Sequence, residues 1–183
     1  MNPKVEMNKQ AKLSEHLASP SVAALSHSSE LNGLRLSPHF SLGELTRSKS
    51  HPEIYNIPSH VHIENLKREC VWLEALRARY NQRYGDGDDP IIITSGYRSA
   101  ELNRKVGGVA TSNHLTGCAV DIRVAGKEQL IRYACILLDY ADETKQDFDE
   151  LLLEHGSKGV IWLHFAVRPP TQQNRRKINF LQG

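Results

Sequence analysis

The segment TSNHLTGCAVDI, residues 111–122, constrains the fold most, because it places a carboxylate inside an apolar run. A buried charge without a partner is costly, so the surroundings of this carboxylate must compensate for it. The alternation in CAVDIRV predicts a β-strand with Val120 and Ile122 on one face and Asp121 on the other. Asp121 can therefore look away from the apolar core and into a cleft.

A metal ion and a structural partner are both possible companions for this aspartate. His114 lies seven positions before Asp121, and His164 lies in the later segment WLHFAV. Two imidazoles and one carboxylate, with the fourth position left to water, form the composition of a catalytic zinc site. Without a metal, His114 could cap a turn and Asp121 could pair with Arg98 or Arg123. The residues alone leave both possibilities open.

The rest of the chain predicts an α+β fold. Ser41 and Glu44 form a capping box that starts a short helix, and two longer segments have helical apolar periodicity. PIIITSGYRS indicates a buried strand, whereas FDELLLEH and VIWLHFAV flank the four-residue loop GSKG as a hairpin. The tail from Pro169 is expected to be a loop or a last short strand. We predict a small antiparallel sheet with helices packed mainly on one face.

Composition favours one domain with an extension. Of the 183 residues, 39% are hydrophobic, and the net charge of +2 gives no reason to expect nucleic acid as a partner. We assign residues 1–35 to a polar N-terminal extension and residues 36–183 to the folded domain. There is no apolar run long enough for a membrane helix and no apolar core of a signal peptide, so synthesis in the cytoplasm is expected.

Three segments resemble the zinc D-Ala-D-Ala carboxypeptidase family, which includes phage endolysins and is structurally related to the hedgehog signalling domain. They are SGYRSAELNRKVGG, SNHLTGCAVDIRV and WLHFAV, in the order and spacing of that family. The resemblance covers about residues 38–180 and is strongest to compact bacterial and phage members that open with HFSLGELTRS. It implies a hedgehog/D-Ala-D-Ala-peptidase-like fold with zinc at the sheet. The matching positions are Ser112, His114, Gly117, Ala119, Asp121, Trp162 and His164.

The resemblance also implies roles for individual residues. His114, Asp121 and His164 would be the zinc ligands. Arg98 would point into the cleft, where its guanidinium suits a terminal carboxylate or a developing oxyanion. A structural ion pair of Arg98 with Asp121 or Glu101 is the alternative.

Three further residues are candidates for substrate binding. Ser112 could hydrogen-bond the substrate or a zinc ligand, or could be an ordinary turn serine. Trp162 could form the floor of the cleft, although a place in the core is the preferred interpretation. Tyr97 lies beside Arg98, and its role is left open.

The general base is the point at which this sequence departs from the better-known members. Those carry an acidic residue three positions before the last histidine ligand, where this chain has Ile161. The candidates on the partner strand are Glu154 and His155. If residue 154 faces Trp162, then Glu154 shares the face of His164, and a one-residue change of register selects His155 instead. We favour Glu154, because a glutamate ends the corresponding strand in the compact relatives.

The expected function is a zinc metallopeptidase that hydrolyses peptidoglycan stem peptides, as a D-Ala-D-Ala carboxypeptidase or an L-Ala–D-Glu endopeptidase. The expected setting is a monomeric phage or prophage lysin that acts on the cell wall, released with a holin or carried in a virion. The absence of an acid at Ile161 motivates an alternative, a catalytically weak or inactive zinc-binding protein with a structural or wall-binding role. A cytosolic D-Ala-D-Ala dipeptidase is a third possibility.

Overall fold

The structure is a computed structural model that describes residues 33–182, so nearly all of the predicted 1–35 extension lies outside it. The described part is α+β, as predicted. No helix within it combines the length and the apolarity needed to cross a membrane. Its elements are α1 Leu42–Thr46, α2 His60–Tyr84, β1 Ile93–Ser95, α3 Ala100–Lys105, a 3-10 helix Asn113–Thr116, β2 Ala119–Arg123, α4 Lys127–Thr144, β3 Glu150–His155, β4 Ile161–Ala166 and β5 Lys177–Gln182.

The five strands form one sheet in the order β1-β2-β4-β3-β5. All neighbouring strands are antiparallel except β3 and β5, which are parallel. The tail left open by the sequence is thus an edge strand. It starts beside β3 because Arg176 and Lys177 donate their backbone N–H groups to Phe148 and Asp149, at 2.9 Å each.

The two long helices pack on one face of the sheet, as predicted. Trp72 of α2 lies in the core with its ring centroid 5.2 Å from that of Phe165 in β4. Val120 and Ile122 of β2 are fully buried on the same face. Because side chains alternate along a strand, the neighbouring residues of β2 and β4 project to the opposite face, where the polar residues of the candidate site lie.

The β3–β4 hairpin has a longer loop than the sequence suggested. The strands end at His155 and resume at Ile161, so the loop is the five residues Gly156–Val160 rather than GSKG alone. Val160 leaves the strand because its carbonyl accepts the Gly156 N–H at 2.8 Å and closes the loop. The resulting register pairs Glu154 with Trp162 and Leu152 with His164.

One carboxyl group lies inside the core. Glu69 of α2 is 0% exposed, and its Oε1 accepts the backbone N–H of Val167 at 2.7 Å. Its Oε2 has no hydrogen-bond partner within the part of the chain that the structure describes. Burial raises the pKa of Glu69 well above the usual 4.5 and so favours its neutral form.

The substitution Glu69→Gln tests this neutral state. Because the pKa of Glu69 is higher in the folded than in the unfolded protein, its contribution to stability is fully present below its pKa in the unfolded chain. That contribution falls as the pH rises toward its pKa in the folded protein. The glutamine side chain cannot ionise and keeps an acceptor for the Val167 N–H. Above about pH 5, we therefore expect the free energy of unfolding of the variant to rise relative to that of the wild type. The difference should grow by at most on the order of 1 kcal/mol per pH unit.

Urea unfolding at a series of pH values measures this difference. Glu128→Gln, at an exposed position of α4, is the matched control and should show no such trend. A difference between Glu69→Gln and the wild type that does not change with pH would contradict the raised pKa.

Candidate metal centre

The residues predicted as ligands, His114, Asp121 and His164, meet at the middle of the sheet. Asp121 in β2 lies directly opposite His164 in β4, and His114 is in the 3-10 helix just before β2. One ligand atom from each residue lies within 4.8 Å of the others, and their residues are 2%, 8% and 7% exposed. A buried group of two imidazoles and one carboxylate can hold a metal ion.

His114 is oriented for ligation by a backbone carbonyl. Its Nδ1 donates a hydrogen bond to the Gly96 carbonyl at 2.6 Å, and its Nε2 faces Asp121 Oδ1 at 3.3 Å. Burial lowers the pKa of His114 and thereby favours the neutral ring, in which Nε2 carries a lone pair. A lone pair that faces a carboxylate oxygen is repelled unless a cation lies between them. The residues therefore fit a metal ion.

Two glycines allow the close backbone contacts that position His114. A Cβ at Gly96 would lie 2.2 Å from the Leu45 carbonyl oxygen of α1, so a side chain there would push the Gly96 carbonyl out of position. Gly117 ends the 3-10 helix with φ of +70°, and a Cβ there would lie 2.6 Å from the His62 carbonyl oxygen.

The two oxygens of Asp121 have different partners. Oδ1 faces His114 Nε2 and lies 2.9 Å from His164 Nδ1, whereas Oδ2 accepts a hydrogen bond from Arg98 Nη2 at 2.5 Å. Burial alone would raise the pKa of Asp121, but the neighbouring histidines outweigh it and hold the pKa well below the usual value. Asp121 is thus an anion with one oxygen directed at the two histidines.

Arg98 makes the ion pair with Asp121 that the sequence offered as an alternative role. Its Nε also donates to Ser95 Oγ at 2.8 Å. Ser95 reaches this position because the β1–β2 register shifts between Ile93 and Ser95, which brings Ser95 opposite Asp121. In the described part of the chain no hydrogen bond involves Arg98 Nη1.

The hairpin register separates the two candidate bases. Because Leu152 faces His164, Glu154 shares the face of His164 and is half-buried. His155 is exposed and pairs with Ile161, which packs against the core on the other face. Burial raises the pKa of the Glu154 carboxyl.

The three candidates for substrate binding lie in different settings. Ser112 caps the 3-10 helix by accepting the His114 N–H at 3.4 Å, so it supports the backbone at His114. The Tyr97 ring stacks on His62 with centroids 5.1 Å apart. Trp162 lies on the face of His164 and is only half-buried, so the preference for a place in the core was wrong.

Sequence reasoning missed Glu150. This residue lies on the same face of β3 as Glu154, with Leu152 between them, and its Oε2 is 3.5 Å from His164 Nε2. The neighbouring His164 and Lys177 side chains lower the pKa of Glu150 to about 2. The same parity argument that selects Glu154 would have selected Glu150, since both lie two residues from Leu152.

Comparison with known proteins agrees with this geometry. A family model described as peptidase M15 matches residues 38–141, which is more than half of the 183-residue chain. The chain therefore belongs to the peptidase M15 family. A comparison with curated proteins finds no match. The matched range contains His114 and Asp121, whereas His164 lies beyond it and is brought to them by the pairing of β2 with β4.

The substitution His114→Ala tests the assignment of the metal ligands. Loss of one of three protein ligands should reduce bound zinc from about one per chain to almost none after dialysis. The stabilisation by zinc in a thermal unfolding assay should disappear with it.

Elemental analysis of the dialysed protein measures the zinc content. His60→Ala is the matched control, because the His60 side chain is 87% exposed and lies outside the cluster. Retention of zinc by His114→Ala at the wild-type level would show that the ligands are different residues.

Proposed function

We propose that the protein is a zinc peptidase that hydrolyses peptidoglycan stem peptides. The observation that carries the proposal is the buried cluster of His114, Asp121 and His164 in a chain of the peptidase M15 family. The nitrogen and oxygen ligands suit zinc, and three protein ligands leave a fourth position for water. A D-Ala-D-Ala carboxypeptidase and an L-Ala–D-Glu endopeptidase are the two activities considered.

In this proposal the ligand atoms are His114 Nε2, Asp121 Oδ1 and His164 Nδ1, which face one another. Bound zinc lowers the pKa of a coordinated water to roughly 7 and polarises a carbonyl group. The protein contributes a buried setting in which hydrogen bonds fix the orientation of His114 and the free oxygen of Asp121.

Glu154 is the proposed general base. It lies on the face of His164, and the charges of His164, Asp121 and Arg98 act on its carboxyl group. A carboxyl group whose pKa is raised by burial can accept a proton from the attacking water and return it to the leaving amine. Its position on β3 compensates for the missing acid at Ile161, which lies on the other face of the sheet.

Arg98 is the proposed partner of the substrate oxygen. Nε and Nη2 are held by Ser95 and Asp121, which fixes the plane of the guanidinium. A guanidinium fixed in this way can direct Nη1 at a terminal carboxylate or at the developing oxyanion. Ser112, Tyr97 and Trp162 are the proposed contacts to the rest of the peptide.

The pair of variants Glu154→Gln and His155→Ala tests the base. Glu154→Gln should keep its zinc and lose kcat by about 100-fold or more, because the amide cannot accept the proton. His155→Ala is the matched control on the same strand and should retain turnover, because His155 points to the other face. Loss of turnover in His155→Ala with Glu154→Gln unaffected would reverse the assignment.

The activity itself is tested with purified, zinc-loaded protein and muropeptides that end in D-Ala-D-Ala. Mass spectrometry should detect either released D-Ala or stem peptides split between L-Ala and D-Glu, and these products distinguish the two activities. Free D-Ala-D-Ala in a parallel reaction reports the dipeptidase alternative. Absence of every product from zinc-loaded protein would refute the proposal and favour the inactive zinc-binding protein.

We also propose that the protein acts as a phage or prophage lysin at the cell wall. The resemblance of its motifs to compact bacterial and phage members motivates this setting. Lysis of cells whose outer barrier has been opened, by wild type and not by Glu154→Gln, is the expected result.

A further inference from the structure

We propose that Glu150 is a positioning residue that accepts a hydrogen bond from His164 Nε2–H and thereby keeps His164 Nδ1 directed at the metal position. This inference rests on the proposed zinc site. It gives Glu150 and Glu154, which lie on one face of one strand, separate tasks.

The immediate surroundings of His164 carry the inference. Its Nδ1 faces Asp121, so Nε2 is the nitrogen left for a second partner. That Nε2 is buried and has no hydrogen bond within residues 33–182, and the acidic atom within 4 Å of it is Glu150 Oε2, at 3.5 Å. A shift of about half an ångström would give a hydrogen bond of ordinary length, and a buried donor left without one is costly.

Glu150 is itself held from several sides. Its Oε1 accepts a hydrogen bond from Lys177 Nζ at 3.1 Å and pairs with Arg175 Nη2 at 3.0 Å. Its Oε2 accepts a hydrogen bond from Asn113 Nδ2 at 3.1 Å. Asn113 precedes the proposed ligand His114, whereas Arg175 lies just before β5 and Lys177 is the first residue of β5. These contacts fix the direction of the carboxylate.

The proposed hydrogen bond of His164 matches the one that orients His114, the other histidine of the cluster. His114 donates its Nδ1–H to the Gly96 carbonyl at 2.6 Å and so directs Nε2 at the metal position. Outer partners of this kind fix the orientation of a ligating imidazole and increase its basicity. With Glu150, both imidazoles would be oriented by a hydrogen bond on the nitrogen that does not ligate.

Zinc affinity of the full chain, measured by competition with a chromophoric chelator, tests this role. Glu150→Ala should raise the zinc Kd by about 10- to 100-fold. Glu150→Gln should recover part of the affinity, because its carbonyl oxygen can accept the His164 Nε2–H. The matched control is Glu154→Ala, which removes the same charge from the same face of β3 and should change the Kd far less.

The second readout is the tautomer of His164 in long-range 1H–15N spectra of the zinc-loaded protein. The wild type should show the proton on Nε2, with its resonance shifted by the hydrogen bond. That shift should decrease in Glu150→Gln and disappear in Glu150→Ala. This readout needs only one variant that folds, as judged by circular dichroism.

The outcomes separate the two proposals. A wild-type protein that binds no zinc would overturn the proposed function and this inference together. A wild-type protein that binds zinc, with Glu150→Ala at the same Kd or with Glu154→Ala equally weakened, would overturn the role of Glu150 alone.

Discussion

The cross-strand pair of Asp121 and His164 is the interaction on which the rest of the site depends. Directly opposite residues of an antiparallel pair share one face, so the register of β2 and β4 brings the carboxylate and the imidazole to 2.9 Å. His114 and Arg98 are then oriented toward the same carboxylate, one on each oxygen. A buried anion that would be costly alone is stabilised by three partners and becomes the centre of the cluster.

The same strands that carry the site also form the core. In β4, Leu163 and Phe165 face α2 and α4 and are fully buried, whereas His164 projects to the other face. The packing of Trp72 on Phe165 therefore holds the backbone that carries His164. A site built on strands whose other face is packed has little freedom to move, which suits ligands that must keep a fixed geometry.

The sequence predicted those features that depend on local pattern. Helical periodicity, strand alternation and the motif around His114 led to the fold class and to the three residues that meet. The place of β5 depends on hydrogen bonds to the carbonyls of Phe148 and Asp149, which no local pattern encodes. The loop length depends on the Val160 carbonyl, so the sequence could not decide the register of the hairpin. The contact between Glu150 and Lys177 forms only because β5 lies beside β3.

The alternation along β3 has a consequence for how the chain can vary in length. Glu150 and Glu154 reach the cluster because both have the same parity as Leu152, which faces His164. Deletion of one residue between them would leave only one glutamate on that face and turn the other toward the helices. Insertions and deletions compatible with the site therefore belong in the Gly156–Val160 loop, outside the ladder, because a change of spacing within the strand would break this parity.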